Sequence, residues 1–242
     1  MARWLIRLEG ENFDLEEFSY WFPDGEICAM TDNGSTYLTG PGFNALTDAR
    51  KVHEAALVAL DECFAIVSLL QSNVRRPNIG AVVREEDDGS KKGCVFGSAR
   101  LVGRSKMHVK STIVGADMNL RVPTQAQVLL GAVNTDRHIQ MAISLWGDSH
   151  STWPRLYRIL EELEASLGMK VHEAQLCSRT QRSRFTRSAN AAEVSGHDAR
   201  HAGGRYQPPS DPMTFDEARR FVAELSRLVL QTAANITSDG LA

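Results

Sequence analysis

The spacing of apolar positions changes character along the chain. Arg3 to Glu9, RWLIRLE, has the short alternating look of a strand, and FDLEEFSYWF after it suits a short helix. Asp24-Gly25 marks a turn. EICAMTD and STYLTG flank Asn33-Gly34, a dipeptide that favours a tight hairpin because both residues tolerate positive φ. Between Asp48 and Leu70, Val52, Ala55, Ala56, Ala59, Cys63, Ile66 and Leu70 recur at helical spacing. Leu57, Leu60, Phe64 and Val67 are apolar on other faces of that helix, which predicts a central position and burial nearly all round. After Arg75-Arg76-Pro77, IGAVVRE and KKGCVFGSARLV flank DDGS and predict a second hairpin. KMHVKSTIVG is a third candidate strand, and VPTQAQVLLGAVN leads into a helical half.

In that half, Ile139, Ala142, Ile143 and Trp146 follow the i, i+3, i+4, i+7 pattern. STWP opens the next helix, with Ser151 or Thr152 as cap and Pro154 in the first turn. Leu156, Leu160, Leu163 and Leu167 line one face of it, and Gly168 ends it. An arginine-rich helix is expected over Ala174 to Arg187. Thr214 and Glu217 form a capping box for a last helix, whose apolar face is Ala218, Phe221, Leu225 and Leu228. The pattern predicts an α+β protein: a mixed strand and helix domain over residues 1–131, then a helical bundle over 132–242.

Composition narrows the function classes. A formal net charge of −3 supplies no global attraction to nucleic acid or acidic membranes, so any such attraction must be local. Charges interrupt MARWLIRLEGENF, and Asp61 and Glu62 break ALVALDECFAIVSLL; neither a signal-peptide core nor a membrane span is expected. Cys28, Cys63, Cys94 and Cys177 are scattered and read as reduced thiols of a cytoplasmic protein. Walker, GxGxxG and GxSxG patterns are missing, and HEAQL at His172 lacks the second histidine of a zinc-protease helix.

Three stretches carry candidate chemistry. CSRTQRSRFTR places Arg179, Arg182, Arg184 and Arg187 close together, with Arg200 and Arg205 nearby. Arginine forks pair with phosphate oxygens, so Arg179, Arg182, Arg184 and Arg205 are the candidate phosphate-binding residues. The alternative is a solvated helix face paired with the acidic EELE, Glu161, Glu162 and Glu164. A second basic stretch runs from Arg100 to Lys110. SGHDARHAG holds His197, Asp198 and His201, able to move protons at neutral pH or simply to form a polar connector between helices. His197 and His201, with His172 or Cys177, would be the ligands of a metal site; the spacing argues against one, and neither metal nor cofactor is expected. Trp153 and Tyr157, four apart in TWPRLYRILEELE, suit inter-helix packing.

WPRLYRILEELE, RFTRSAN, GxxARH and PPxxPMTxxEAR, in that order over about Thr135 to Gln231, resemble a pattern shared by uncharacterised bacterial proteins. The layout is similar to HEPN domains, all-helical modules that are often ribonucleases, otherwise bind nucleotides or protein partners, and in many cases serve in defence against phage. The resemblance implies a site made from Arg187, Asn190, Arg200 and His201. The histidine would handle the 2′-hydroxyl proton and arginine the phosphorane charge. The chain departs from the HEPN pattern in one respect. None of its seven histidines follows an arginine after four to six intervening residues, so that site would have to be assembled in space.

The leading expectation is a cytoplasmic binding module whose arginine-rich helix and following loop contact RNA, a nucleotide or an acidic protein partner. A metal-independent HEPN-like ribonuclease and a structural subunit of an assembly are the alternatives, and a homo-oligomer is an open option for the chain's partners.

Overall fold

The computed structural model describes residues 2–71, 73–95, 123–148, 151–199 and 207–239. KMHVKSTIVG and the basic stretch from Arg100 to Lys110 lie outside them. The chain divides into two compact units, Met1–Val67 with Asn73–Val128, and Ser68–Ser72 with Leu129–Ala242. The architecture is α+β: an antiparallel sheet in the first half and helices in the second.

In the first unit β1 (Arg3–Glu9), β2 (Cys28–Asp32), β3 (Ser35–Thr39), β4 (Asn78–Glu85) and β5 (Lys91–Val95) form a sheet in the order β2-β3-β1-β4-β5. Asn33 (φ 48°) and Gly34 (φ 74°) both take left-handed conformations, so the β2–β3 hairpin closes as its dipeptide predicts. The β4–β5 hairpin closes through Gly89 at φ 79°. Ile6 stands opposite both Leu38 and Val82, and all three are buried with Trp4 and Leu8. The helices of this unit are α1 (Asn12–Trp21), the single turn α2 (Pro41–Asn44) and α3 (Ala49–Leu70). α3 departs from all-round burial in its first turns: Val52, Ala56, Ala59, Leu60 and Cys63 are buried, whereas Val58 is 60% exposed. Only near Ala65, Ile66 and Val67 is it enclosed on several faces. Burial pushes the Cys63 thiol pKa far up, as for an inert core thiol.

α4 (Gln125–Val133) leads into the second unit, built from α5 (Arg137–Gly147), α6 (Trp153–Leu167), α7 (Arg179–Asn190), α8 (Ala192–Ser195) and α9 (Phe215–Asp239). Thr152 caps α6, Gly168 ends it at φ 66°, and Thr214 and Glu217 cap α9 reciprocally, as expected. The arginine-rich helix starts later than Ala174. Residues 170–176 form turns with Gln175 at φ 60°, and Ser178 and Gln181 make a capping box that fixes the first helical residue at Arg179.

The unit closes around five aromatic rings from three helices. Trp153 and Tyr157 of α6 pack on Phe185 of α7 at centroid distances of 6.4 and 6.2 Å, Phe221 of α9 on Phe185 at 5.5 Å, and Phe215 on Trp153 at 5.7 Å. Trp153 and Tyr157 are therefore packing residues, and Phe185, set among the arginines, is fully buried. Among the described residues no helix is long and apolar enough to cross a membrane. Phe185→Ala is expected to cost about 3–5 kcal/mol in urea unfolding. A loss under about 1 kcal/mol would show that the cluster is not the core of this unit.

Candidate anion-binding site

The arginines of α7 fall on different faces, and the structure gives them different work. Arg179, Arg182, Ser183 and Thr186 lie at i, i+3, i+4 and i+7, on one stripe. Arg182 meets Glu164 of α6 in a two-pronged pair, Nε to Oε1 at 2.5 Å and Nη2 to Oε2 at 2.9 Å. The Glu164 side chain is only 7% exposed. It also accepts from Lys170 Nζ at 2.9 Å and from the Val171 backbone N–H at 3.3 Å. Burial pushes the Glu164 pKa up, but Arg182, Lys170 and the Val171 amide outweigh it, and the net direction is down. One carboxylate thus ties the start of α7 and the turn after α6 to the same point.

Arg184 and Arg187 grip the segment leading into α9. Arg184 donates to Asp211 O at 2.7 Å and Pro212 O at 3.2 Å, and pairs with the Asp211 and Glu217 carboxylates. Arg187 donates to Gln207 O at 3.4 Å and Pro208 O at 3.0 Å. Ser188 Oγ accepts the Met213 amide at 2.9 Å. Asn190 is buried, with Nδ2 donating to Thr186 O and Oδ1 unpaired among the described residues. Arg187 and Asn190 are thus near one another on α7, both engaged with backbone. Arg200, His201 and Arg205 lie outside the described residues. His197 and Asp198 sit exposed on a single 3₁₀ turn, Gly196–Asp198.

What remains of the arginine run is Arg179. It is exposed and has no ion pair among the described residues. With His172, Glu173, Arg182, Ser183 and Thr186 it lines a hollow of about 400 Å³. The first turn of α7 itself carries no acidic residue, and the nearby carboxylates are Glu164, held by Arg182, and Glu173 on the preceding turn. The hollow offers an oxyanion the guanidinium of Arg179 and the hydroxyl of Ser183; the Thr186 hydroxyl already donates to Ser183 O at 3.2 Å, Arg182 is paired with Glu164, and Glu173 adds a carboxylate.

A second, larger groove of about 790 Å³ runs along α5 and α6, lined among others by His138, Arg158, Glu161, Glu162, Lys170 and Glu173. Its wall holds a pair that sequence reasoning missed. His138 Nδ1 lies 2.7 Å from Glu162 Oε2, and Arg158 bonds the other oxygen at 2.5 Å. The hydrogen bond from His138, helped by Arg158, holds the buried Glu162 carboxyl below its usual range against the opposing effect of burial. The Arg158–Glu162 half, four apart on one helix, was legible as spacing. The His138 half was not, being 24 residues away. Among the described residues no group of three or more histidine, cysteine or acidic side chains could hold a metal ion.

Glu164→Gln should lower stability at neutral pH by about 2–3 kcal/mol, the scale of hydrogen bonds to a charged group. The native pKa lies below the ordinary 4.5, so the carboxylate's contribution is complete above that value and is lost as pH falls below it. Urea unfolding at neutral and acid pH should therefore show wild type converging on the Gln variant. A constant gap between the two down to pH values well below 4.5 would contradict this role.

No family model, no curated protein and no solved structure matches the chain.

Proposed function

We propose that this chain is an RNA-binding module that takes a backbone phosphate in the hollow at the start of α7. The observation that carries this reading is the outward position of Arg179, beside Ser183, Thr186 and His172, while Arg182, Arg184 and Arg187 are turned onto partners within the second unit. The chain's charge of −3 requires any attraction to a polyanion to be local, and this is a local donor cluster on the first two turns of α7.

An acidic protein partner fits less well. A run of carboxylates would need several spaced cations along the helix, and the other three arginines are already engaged. A single concave donor set suits one tetrahedral phosphate. The ribonuclease alternative gains no support from α7, where Arg187 and Asn190 bond to backbone carbonyls.

Binding of a short labelled single-stranded RNA, followed by fluorescence anisotropy, should be saturable. It should weaken between about 50 and 200 mM salt with a log–log slope of roughly −0.7 per phosphate held. Arg179→Glu should weaken it roughly tenfold or more, with the circular dichroism spectrum unchanged. No saturable binding, an unaffected Arg179→Glu variant, or preferential displacement by polyglutamate would each refute the proposal.

A further inference from the structure

The hollow contains one group that does not belong in a simple phosphate site. Five of its six lining side chains can donate hydrogen bonds or carry positive charge; the sixth is Glu173. A carboxylate beside a phosphate is repelled unless the ligand also offers it a hydrogen to accept.

Glu173 is tethered at that position. Its Oε2 accepts the Lys170 backbone N–H at 2.9 Å, and its own N–H donates to Lys170 O at 2.9 Å, so residues 170–173 form a closed turn. Lys170 is in turn held by Glu164. The Oε1 of Glu173 has no hydrogen-bond partner among the described residues. The hollow therefore combines a donor side, Arg179 and Ser183 on α7, with one carboxylate held on the turn that precedes the helix.

We propose that Glu173 accepts the 2′-hydroxyl of the nucleotide whose phosphate lies against Arg179, so that the hollow selects ribose over deoxyribose. This rests on the RNA-binding reading and adds to it the part of the ligand that is recognised. A ribonucleotide unit carries an anionic phosphate and a neutral hydroxyl donor on one sugar, which matches the two sides of the hollow. Deoxyribose offers the carboxylate only carbon-bound hydrogen, leaving its repulsion of the phosphate uncompensated. The 2′-hydroxyl is the general means by which a protein distinguishes the two polymers.

The test compares three oligonucleotides of one uracil-free and thymine-free sequence: RNA, DNA and 2′-O-methyl RNA. Each is titrated by anisotropy into wild type, Glu173→Ala and Arg179→Glu. Wild type should favour RNA over DNA by roughly tenfold, with 2′-O-methyl RNA behaving like DNA because it cannot donate. Glu173→Ala should change the two affinities in opposite directions, weakening RNA and tightening DNA, until they meet. Arg179→Glu should weaken both. A wild type that binds RNA and DNA equally, or a preference that survives Glu173→Ala, overturns the assignment of Glu173 while leaving RNA binding in place. Absence of binding to any of the three removes both proposals together.

Discussion

The candidate site depends on one buried carboxylate. Glu164 sits on α6 with almost no exposure and accepts from Arg182, Lys170 and the Val171 amide. A buried ionised group is tolerated only when its lone pairs are met by charged or polar donors, and here they are. The donors come from two different stretches, the turn that follows α6 and the first turns of α7. Holding both at one point sets the spacing between His172 and Glu173 on one side and Arg179, Ser183 and Thr186 on the other. The hollow is the space left between two segments that share an anchor.

That anchor also explains why the arginines of α7 are not equivalent. A helix that buries Phe185 among Trp153, Tyr157 and Phe221 has one face committed to the core. The flanking positions look onto α6 on one side and onto the segment before α9 on the other. Arg182 finds a carboxylate on the first side. Arg184, Arg187 and Ser188 find backbone carbonyls and an amide on the second, and hold residues 207–213 along the helix. Arg179 at the helix start and Arg187 near its end are both exposed, but of the run only Arg179 lacks a hydrogen-bond partner among the described residues. A run that looks uniformly basic as a string is thus mostly committed to partners within the unit, with Arg179 as its unpaired member.

Much of the fold was legible because its signals are local. Asn33-Gly34 between alternating segments, Thr152 with Pro154, Gly168, and Thr214 with Glu217 each act within a few residues, and each sits where the spacing placed it. The start of α7 was missed although its signal was equally local: Ser178 and Gln181 form a capping box that outweighs the helical look of EAQL. The site was legible only in part. Pairing of the arginine run with EELE stood as an alternative in the sequence, and Arg182 takes Glu164 from it; that this carboxylate is buried, and that Arg184 reaches Asp211 27 residues away, could not be read. The same limit hid the His138–Glu162 pair and the place of Glu173 in the lining of the hollow. Arg200, His201 and Arg205 lie outside the described residues, so the structure adds nothing to their sequence-based assignment.

The claim that the α7 arginines divide into scaffold and contact is tested most directly by paired measurements on four single alanine variants, at Arg179, Arg182, Arg184 and Arg187. Each would be assayed for urea-unfolding stability and for affinity to the same single-stranded RNA. The account predicts a dissociation: Arg179→Ala loses affinity and keeps wild-type stability, whereas the other three lose stability, Arg182→Ala the most because it strands a buried carboxylate. If instead all four lowered affinity by similar factors and left stability unchanged, the arginines would form one exposed basic face. The internal pairing around Glu164 and residues 207–213 would then not be what holds this unit together.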